Sequence, residues 1–138
     1  MRILGLDYGS KTVGVAVTDL LGMTAQRLEI IRRPKENHLR QTFRRIEELV
    51  EQYEIGEVVL GYPLNMDDST GDRAEKTLAF RQELVRRLEV PVHLVDERLT
   101  TVEAEEIMAE CGLPRCEFKR YVDMIAAEII LQDYLNMQ

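Results

Sequence analysis

The sequence contains no tryptophan and only two cysteines, and its apolar runs are short. The longest uncharged ones, such as Val13–Val17, are strand-sized and fall far below the ~20 residues that span a bilayer. Met1–Ile3 leads directly into a strand-like pattern, so we expect no signal peptide. Two cysteines cannot build a disulfide framework, and we expect Cys111 and Cys116 to be free thiols of a cytoplasmic protein. These low counts argue against membrane-spanning and disulfide-stapled classes.

Positive charge is also scarce, with 18 lysines and arginines against 25 acids and a net charge of −7. This balance argues mildly against binding nucleic acid through bulk electrostatics. The charges are unevenly distributed, because Arg27–Arg45 holds seven basic and two acidic residues, whereas Glu47–Glu57 holds five acids and no base. The basic segment is either a solvated loop and helix surface or a patch that contacts nucleic acid, and both interpretations stay open.

The length of 138 residues and the share of apolar residues, 45%, predict one domain over residues 1–138. The spacing of the apolar residues predicts nine elements in the order βββαβαβαα. The predicted strands are Arg2–Tyr8, Thr12–Thr18, Thr24–Ile31, Glu57–Gly61 and Val90–Val95, and the predicted helices are Leu39–Tyr53, Asp72–Leu88, Thr100–Cys111 and Lys119–Leu135. Short connections favour antiparallel pairing of the first strands, and helical crossovers favour parallel pairing of the later ones. The sequence therefore predicts an α/β fold with a mixed five-stranded sheet and helices on both faces.

Asp7 is an anomaly within the first predicted strand. The strand is otherwise apolar and is typical of one that is buried on both faces. A carboxylate at such a position is costly unless it has a cation, hydrogen-bond donors or access to solvent. Asp7 therefore either caps the following turn through Gly9 and Ser10 or belongs to a functional site.

Further acidic residues occupy comparable places. Asp96 and Glu97 end the last predicted strand, and ligands of α/β sheets gather at the carboxyl ends of parallel strands. Because neighbouring strand residues face opposite sides, only one of the two can share the face of Asp7, and the pattern does not decide which. Asp123 lies at the edge of the apolar stripe of the last helix, where it is either a ligand or an exposed acid paired with Lys119.

Acids from three separate elements would suit hard divalent cations, since magnesium and manganese prefer carboxylate and water oxygens. Two such ions about 3.5–4 Å apart generate a hydroxide and stabilise the leaving oxygen in phosphodiester hydrolysis. The acids therefore indicate a candidate site for Mg²⁺ or Mn²⁺, with two ions expected, although spacing alone does not establish that they converge.

Four stretches of the sequence match one family in order and spacing. They are Gly5–Ala16, Gly61–Asp67, Asp96–Ala104 and a last stretch with Val122–Asp123, Ala126–Ala127 and Ile130–Leu135. Over essentially its whole length the sequence resembles the bacterial YqgF family, also called RuvX, whose older description is Holliday junction resolvase. The resemblance implies a ribonuclease H-like fold related to that of the junction resolvase RuvC.

The resemblance also implies that the acidic triad is Asp7, Glu97 and Asp123, as catalytic residues and metal ligands. It implies a nuclease that processes the 5′ end of precursor 16S rRNA during ribosome biogenesis, ahead of one that resolves four-way DNA junctions in recombination and repair. The implied partners are precursor rRNA or branched DNA and the ribosome or its assembly factors, with either a monomer or a homodimer. We further predict that six residues contact the substrate, since their side chains suit phosphate oxygens or lie at the same crevice: Lys11, Asn65, Arg73, Arg98, Lys119 and Arg120.

Two other functional classes are weighed against the nuclease. The residues Asp7–Ser10 followed by Gly14 also resemble the first phosphate loop of actin-like proteins and sugar kinases, but those enzymes need two such domains to enclose ATP. The second class is a non-catalytic module that binds RNA or an assembly partner. Replacing Asp7 with asparagine distinguishes this binding module from a metal nuclease, because the module should keep its function and the nuclease should lose it. Whether Asp96 also binds metal stays open.

Overall fold

The computed structural model of the protein describes residues 2–62, 72–96 and 106–137. Its sheet has five strands: β1 Arg2–Tyr8, β2 Thr12–Thr18, β3 Ala25–Arg32, β4 Ile55–Tyr62 and β5 Val92–Asp96. They lie side by side in the order β3-β2-β1-β4-β5. The pairs β1–β2 and β2–β3 are antiparallel, whereas β1–β4 and β4–β5 are parallel. The predicted mixed five-stranded sheet is confirmed.

Helices cover this sheet from both sides. Those with defined bounds are α1 Arg40–Gln52, α2 Asp72–Arg87 and α3 Phe118–Asn136, and a 3-10 turn spans Arg115–Glu117. Residues 106–110 are also helical. The rest of the helix predicted from Thr100 lies outside the described residues. Most predicted ends are correct to within two residues, which is the usual uncertainty of helix and strand boundaries.

One face of the sheet packs against α1 and α2. Alternate residues of β1 and β2, among them Leu4, Leu6 and Val15, are fully buried there. The same core contains a row of stacked rings: Tyr8 lies 4.1 Å from Phe80 of α2, and Phe80 in turn lies 5.0 Å from Phe43 of α1, between ring centroids. The end of β1 is therefore held from this side by aromatic packing.

The other face of the sheet packs against α3. Ile3, Ala16 and Val59 form a buried cluster with residues of this helix that include Ala127 and Leu131. The helix lies close to the sheet because several of the facing residues are small. Residues of a strand thus alternate between the two halves of the core, so only every second side chain of each strand can contact α3.

Two sequence-based expectations concern the chain as a whole. Cys111 and Cys116 are both free and exposed, as predicted. None of the helices in the described ranges combines the length and the apolar character that crossing a membrane requires.

Candidate active site

Asp7 lies on the face of the sheet that carries α3. Its alternate neighbour in β1, Ile3, packs in the α3 cluster, and strand alternation places positions 3, 5 and 7 on one side. At Gly5 an added Cβ would lie only 2.8 Å from the Cβ of Leu131, so β1 and α3 are in direct contact there. Asp7 itself is half-buried. The acid that is anomalous in the sequence therefore points toward the last helix.

Gly14 brings α3 to Asp7. It is the residue of β2 paired directly with Asp7 across the antiparallel ladder. An added Cβ at Gly14 would lie 1.9 Å from the carbonyl oxygen of Asp123 and 2.3 Å from its carbonyl carbon. The backbone of α3 at Asp123 thus occupies the space that any other side chain at position 14 would need. Because facing residues of such a pair lie about 5 Å apart, Asp7 and Asp123 are neighbours across the sheet–helix contact.

Thr12 orients the carboxylate of Asp123. It stands two residues before Gly14 on the same face of β2, and its hydroxyl donates a hydrogen bond of 2.5 Å to Oδ2 of Asp123. A hydrogen bond to one oxygen of a carboxylate fixes the directions in which its other lone pairs point. Thr12 was not among the residues predicted for the site. The two residues are 111 positions apart, and no local pattern connects them.

The alternation of β5 separates its last residues between the two faces. Val92 belongs to the core under α1 and α2, whereas Val95 belongs to the cluster under α3. Asp96 pairs with Tyr62 of β4, is exposed and has the parity of Val92, so it lies on the side opposite Asp7. The third predicted triad member, Glu97, lies outside the described residues.

The residues predicted to contact substrate are only partly described. Asn65, Arg98 and the side chain of Lys119 lie outside the described part. Lys11 and Arg120 are exposed, Lys11 in the turn after β1 and Arg120 one turn before Asp123 on α3. These positions leave both cations accessible to a ligand near the two acids.

Arg73, also predicted to contact substrate, is engaged within the protein. Its Nη2 donates to the carbonyl oxygen of Tyr8 at 2.7 Å, and its Nη1 pairs with the carboxylate of Glu36 at 3.2 Å. The guanidinium also lies over the Tyr8 ring, 4.7 Å from its centroid. Arg73 therefore touches the last residue of β1 and not the carboxylate of Asp7. Its proposed contact with substrate stays a prediction.

Arg33 holds the turn that follows Asp7. Its Nη2 donates to the carbonyl oxygens of Gly9 at 2.6 Å and Ser10 at 2.8 Å, and its Nε donates to the carbonyl of Glu36 at 3.0 Å. Burial, with the like charge of Arg73 nearby, lowers the pKa of Arg33 from its ordinary value. Sequence reasoning missed Arg33 because its partners are backbone carbonyls, which leave no signature in the residue types.

The described donor set suits a hard cation in kind. Asp7 and Asp123 belong to neighbouring parts of the sheet–helix contact, and carboxylate oxygens are the ligands that magnesium and manganese prefer. Within residues 2–62, 72–96 and 106–137, no three acidic, histidine or cysteine side chains group closely enough to hold a metal ion. Asp7 and Asp123 could therefore supply at most part of the ligand set of such a cation.

Comparisons of the sequence with known proteins agree with one another. Residues 1–137 match the model of a family described as RuvX, Holliday junction resolvase. A protein of Lachnospira eligens is 52% identical over 99% of this chain and 97% of its own length. A protein of Agathobacter rectalis is 54% identical over 99% of this chain and 95% of its own. Both relatives carry the name "Putative pre-16S rRNA nuclease".

A solved structure similar to this fold is that of RuvC from Thermus thermophilus in complex with a Holliday junction substrate. It superimposes with a TM-score of 0.64 over 99% of this chain and 95% of its own, at 16% sequence identity. At this identity the likeness concerns the fold, and it confirms the predicted ribonuclease H-like architecture.

Proposed function

The chain belongs to the RuvX family, and from that premise we propose that it is a nuclease that hydrolyses phosphodiester bonds in nucleic acid. The first candidate substrate is precursor 16S rRNA, because relatives at about half identity and nearly full coverage carry that name. The reaction would then belong to ribosome biogenesis in the cytoplasm, with the ribosome or its assembly factors as partners. The observation that carries the proposal is the approach of Asp123 to Asp7 through Gly14.

We assign Asp7, Asp123 and Glu97 as ligands of one or two divalent cations, Mg²⁺ or Mn²⁺. For Glu97 the support is indirect. Asp96 lies on the face opposite Asp7, which leaves Glu97 as the one of the two adjacent acids that the family resemblance assigns to the triad. When bound, the ions would activate water and stabilise charge on the leaving oxygen.

The surrounding side chains have simpler tasks. Thr12 orients the carboxylate of Asp123 through its hydroxyl hydrogen bond. Arg33 fixes the turn at Gly9 and Ser10, and thereby the position of the exposed Lys11 beside the acids. We assign Lys11 and Arg120, with Asn65, Arg73, Arg98 and Lys119, to the phosphates of the substrate, where positive charge favours binding.

Cleavage assays test the proposal directly. The purified chain is offered a precursor 16S rRNA fragment and a four-way DNA junction, each with Mn²⁺ or Mg²⁺. Asp7→Asn and Asp123→Asn should abolish cleavage, whereas Asp133→Asn, which removes an exposed carboxylate from the same helix, should not. If the wild type cleaves neither substrate more than Asp7→Asn does, the nuclease assignment is overturned.

The second candidate function is resolution of Holliday junctions, which the family's description favours. A resolvase makes two symmetric cuts and therefore needs two active sites related by a dimer axis. Junction cleavage by a chain that sediments as a dimer would support this candidate. A strict monomer that cuts only the rRNA fragment would exclude it. If neither Asp7→Asn nor Asp123→Asn changes the biological function, the chain is a non-catalytic binding module.

A further inference from the structure

We propose that a cavity between the end of β3 and the start of α1 binds a backbone phosphate of the nucleic acid substrate, away from the bond that is cut. The inference rests on the proposed nuclease function and adds a second anchoring point to it. The cavity measures about 430 Å³. The side chains that carry the argument are Arg32, Arg33, His38, Arg40 and Gln41, all of which line it.

The lining is basic. Three arginines and a histidine face the cavity, and none of its eight lining residues is acidic. Arg32 and Arg40 are exposed, and neither forms an ion pair with another residue of the described ranges. By contrast, arginines such as Arg45 and Arg87 pair with glutamates, in a chain whose net charge is −7. The local excess of positive charge favours an anion.

Arg33 adds a buried charge that is incompletely neutralised. Only 6% of the residue is exposed, and its Nη1 has no hydrogen-bond partner in the described part of the chain. Its other donors go to neutral carbonyl oxygens, while the carboxylate of Glu36 is taken by Arg73 and Lys76. The guanidinium also lies over the ring of Tyr8, 5.0 Å from its centroid. Since no carboxylate among the described residues contacts it directly, its positive charge adds to that of Arg32 and Arg40 and favours an anion in the cavity that these residues line.

The start of α1 contributes in the same direction. Its N-cap residue is Leu39, which makes no side-chain capping hydrogen bond, and the first turn contains no acid. The first backbone N–H groups of a helix have no partner within the helix, and the helix dipole favours negative charge at this end. In α1 neither a capping side chain nor an acidic residue meets this demand. A phosphate oxygen would meet it.

The cavity lies at the same edge of the sheet as the two acids. The backbone N–H of Arg33 donates to the carbonyl of Lys11 at 2.9 Å, so the end of β3 adjoins the turn after Asp7. Because α1 leads into β4, which runs parallel to β1, the helix starts at the edge where β1 ends. Because α1 and α3 cover opposite faces of the sheet, a strand of nucleic acid lying over Asp7 and Asp123 would reach the cavity by passing around this edge.

Binding measured without cleavage tests the site. The full chain is titrated in EDTA with a fluorescein-labelled single-stranded fragment of precursor 16S rRNA, and anisotropy is followed at several salt concentrations. Arg40→Gln removes a lining charge, and Arg44→Gln removes an exposed charge one turn further along the same helix, outside the cavity. Because Arg40→Gln loses one phosphate contact, the slope of log affinity against log salt concentration should fall by about 0.7 in magnitude, and the affinity at 0.1 M salt should fall about fivefold. Arg44→Gln should change neither quantity.

Gln41→Glu separates binding from folding. An acid in the first turn of α1 should raise the melting temperature, because it complements the helix dipole, while it repels a phosphate from the cavity. Weaker RNA binding together with equal or higher thermal stability is therefore expected. A structural role for this region would instead make binding and stability change together in the same direction.

The outcomes distinguish this site from the catalytic one. Equal binding by the Arg40 and Arg44 variants overturns the cavity proposal, whether or not the wild type cleaves RNA in a parallel assay with Mn²⁺. An Arg40-specific loss supports it even if no cleavage is found, in which case only the nuclease assignment fails. A third outcome is that inorganic phosphate causes saturable NMR chemical-shift changes at the amides of residues 40–42, while Arg40→Gln leaves RNA binding unchanged. This result would assign the cavity to a free anion and overturn the proposal as stated.

Discussion

Replacing Gly14 with alanine should disable the site more than it destabilises the protein. The new Cβ would lie 1.9 Å from the carbonyl oxygen of Asp123, and real Cβ contacts do not fall below 3.0 Å, so the two backbones must separate by at least 1.1 Å. No rotamer change relieves this contact, because the opposing atoms belong to the main chain of α3. Overpacking of this kind costs about 1–3 kcal/mol, or roughly 3–12 °C in melting temperature.

The cost in activity should be larger. A misplacement of about 1 Å at a catalytic group reduces the rate roughly a hundredfold, and here the displaced group is Asp123. We expect Gly14→Ala to fold, to bind Mn²⁺ more weakly and to cleave nucleic acid about a hundredfold more slowly at saturating metal. The measurements are the melting temperature, Mn²⁺ binding by electron paramagnetic resonance and the rate of cleavage.

Gly5→Ala is the matched control. It adds the same methyl group on the same face of the sheet, but its nearest contacts are the Cβ of Leu131 at 2.8 Å and the carbonyl oxygen of Ala127 at 3.2 Å. A shift of a few tenths of an ångström at that point should cost stability and leave most of the cleavage rate. If Gly14→Ala folds and still binds Mn²⁺ and cleaves nucleic acid as the wild type does, the site does not depend on the close approach of α3 to β2.

Three further changes test other contacts. Thr12→Val removes the donor to Asp123 at nearly constant volume; we expect about tenfold weaker Mn²⁺ binding with rescue by Thr12→Ser, and equal affinity of all three proteins would exclude the orienting role. Arg33→Lys loses the forked donors to the turn carbonyls and should lower the free energy of unfolding in urea by about 1–3 kcal/mol, whereas an unchanged midpoint would contradict that role. A hydrogen bond from Lys76 is the main cause that lowers the pKa of Glu36 below 4.5. The ion pair therefore stabilises the fold above that pH, and this contribution is lost as the pH falls through the lowered pKa of Glu36. The difference in free energy of unfolding between the wild type and Lys76→Gln should thus shrink to zero on acidification. A difference that stays constant down to pH 3 would disprove this linkage.

Much of the fold was predictable because local pattern and connection length determine it. Short links give the antiparallel strands β1, β2 and β3, and the helices between β3, β4 and β5 give the parallel part. The ends of β4 and β5 were less accurate, since Ile55 and Asp96 are added by pairing with neighbouring strands and not by hydrophobic pattern. Strand pairing is a tertiary effect, which a single sequence reveals only approximately.

For the candidate site, the sequence pointed to the acids Asp7 and Asp123 and not to the residues around them. Asp7 was anomalous within its strand, and Asp123 stood at the edge of its helix stripe. Thr12 and Arg33 act across long separations, one on a carboxylate of the last helix and the other on backbone carbonyls, so no local spacing announces them. Arg73 was predicted for the substrate, and its observed contacts with Tyr8 and Glu36 depend on how α2 packs against the end of β1.

The distance along the chain between the two halves of the site has a consequence for when it can form. The hairpin of β1 and β2 leaves a translating ribosome before α3, because Asp123 of α3 is made 111 positions after Thr12. A nascent chain can close the hairpin early, because its contacts are local, but must wait for α3 before the carboxylates meet. Under the proposed assignment of Asp123, a growing chain would be inert until α3 has been synthesised and has docked.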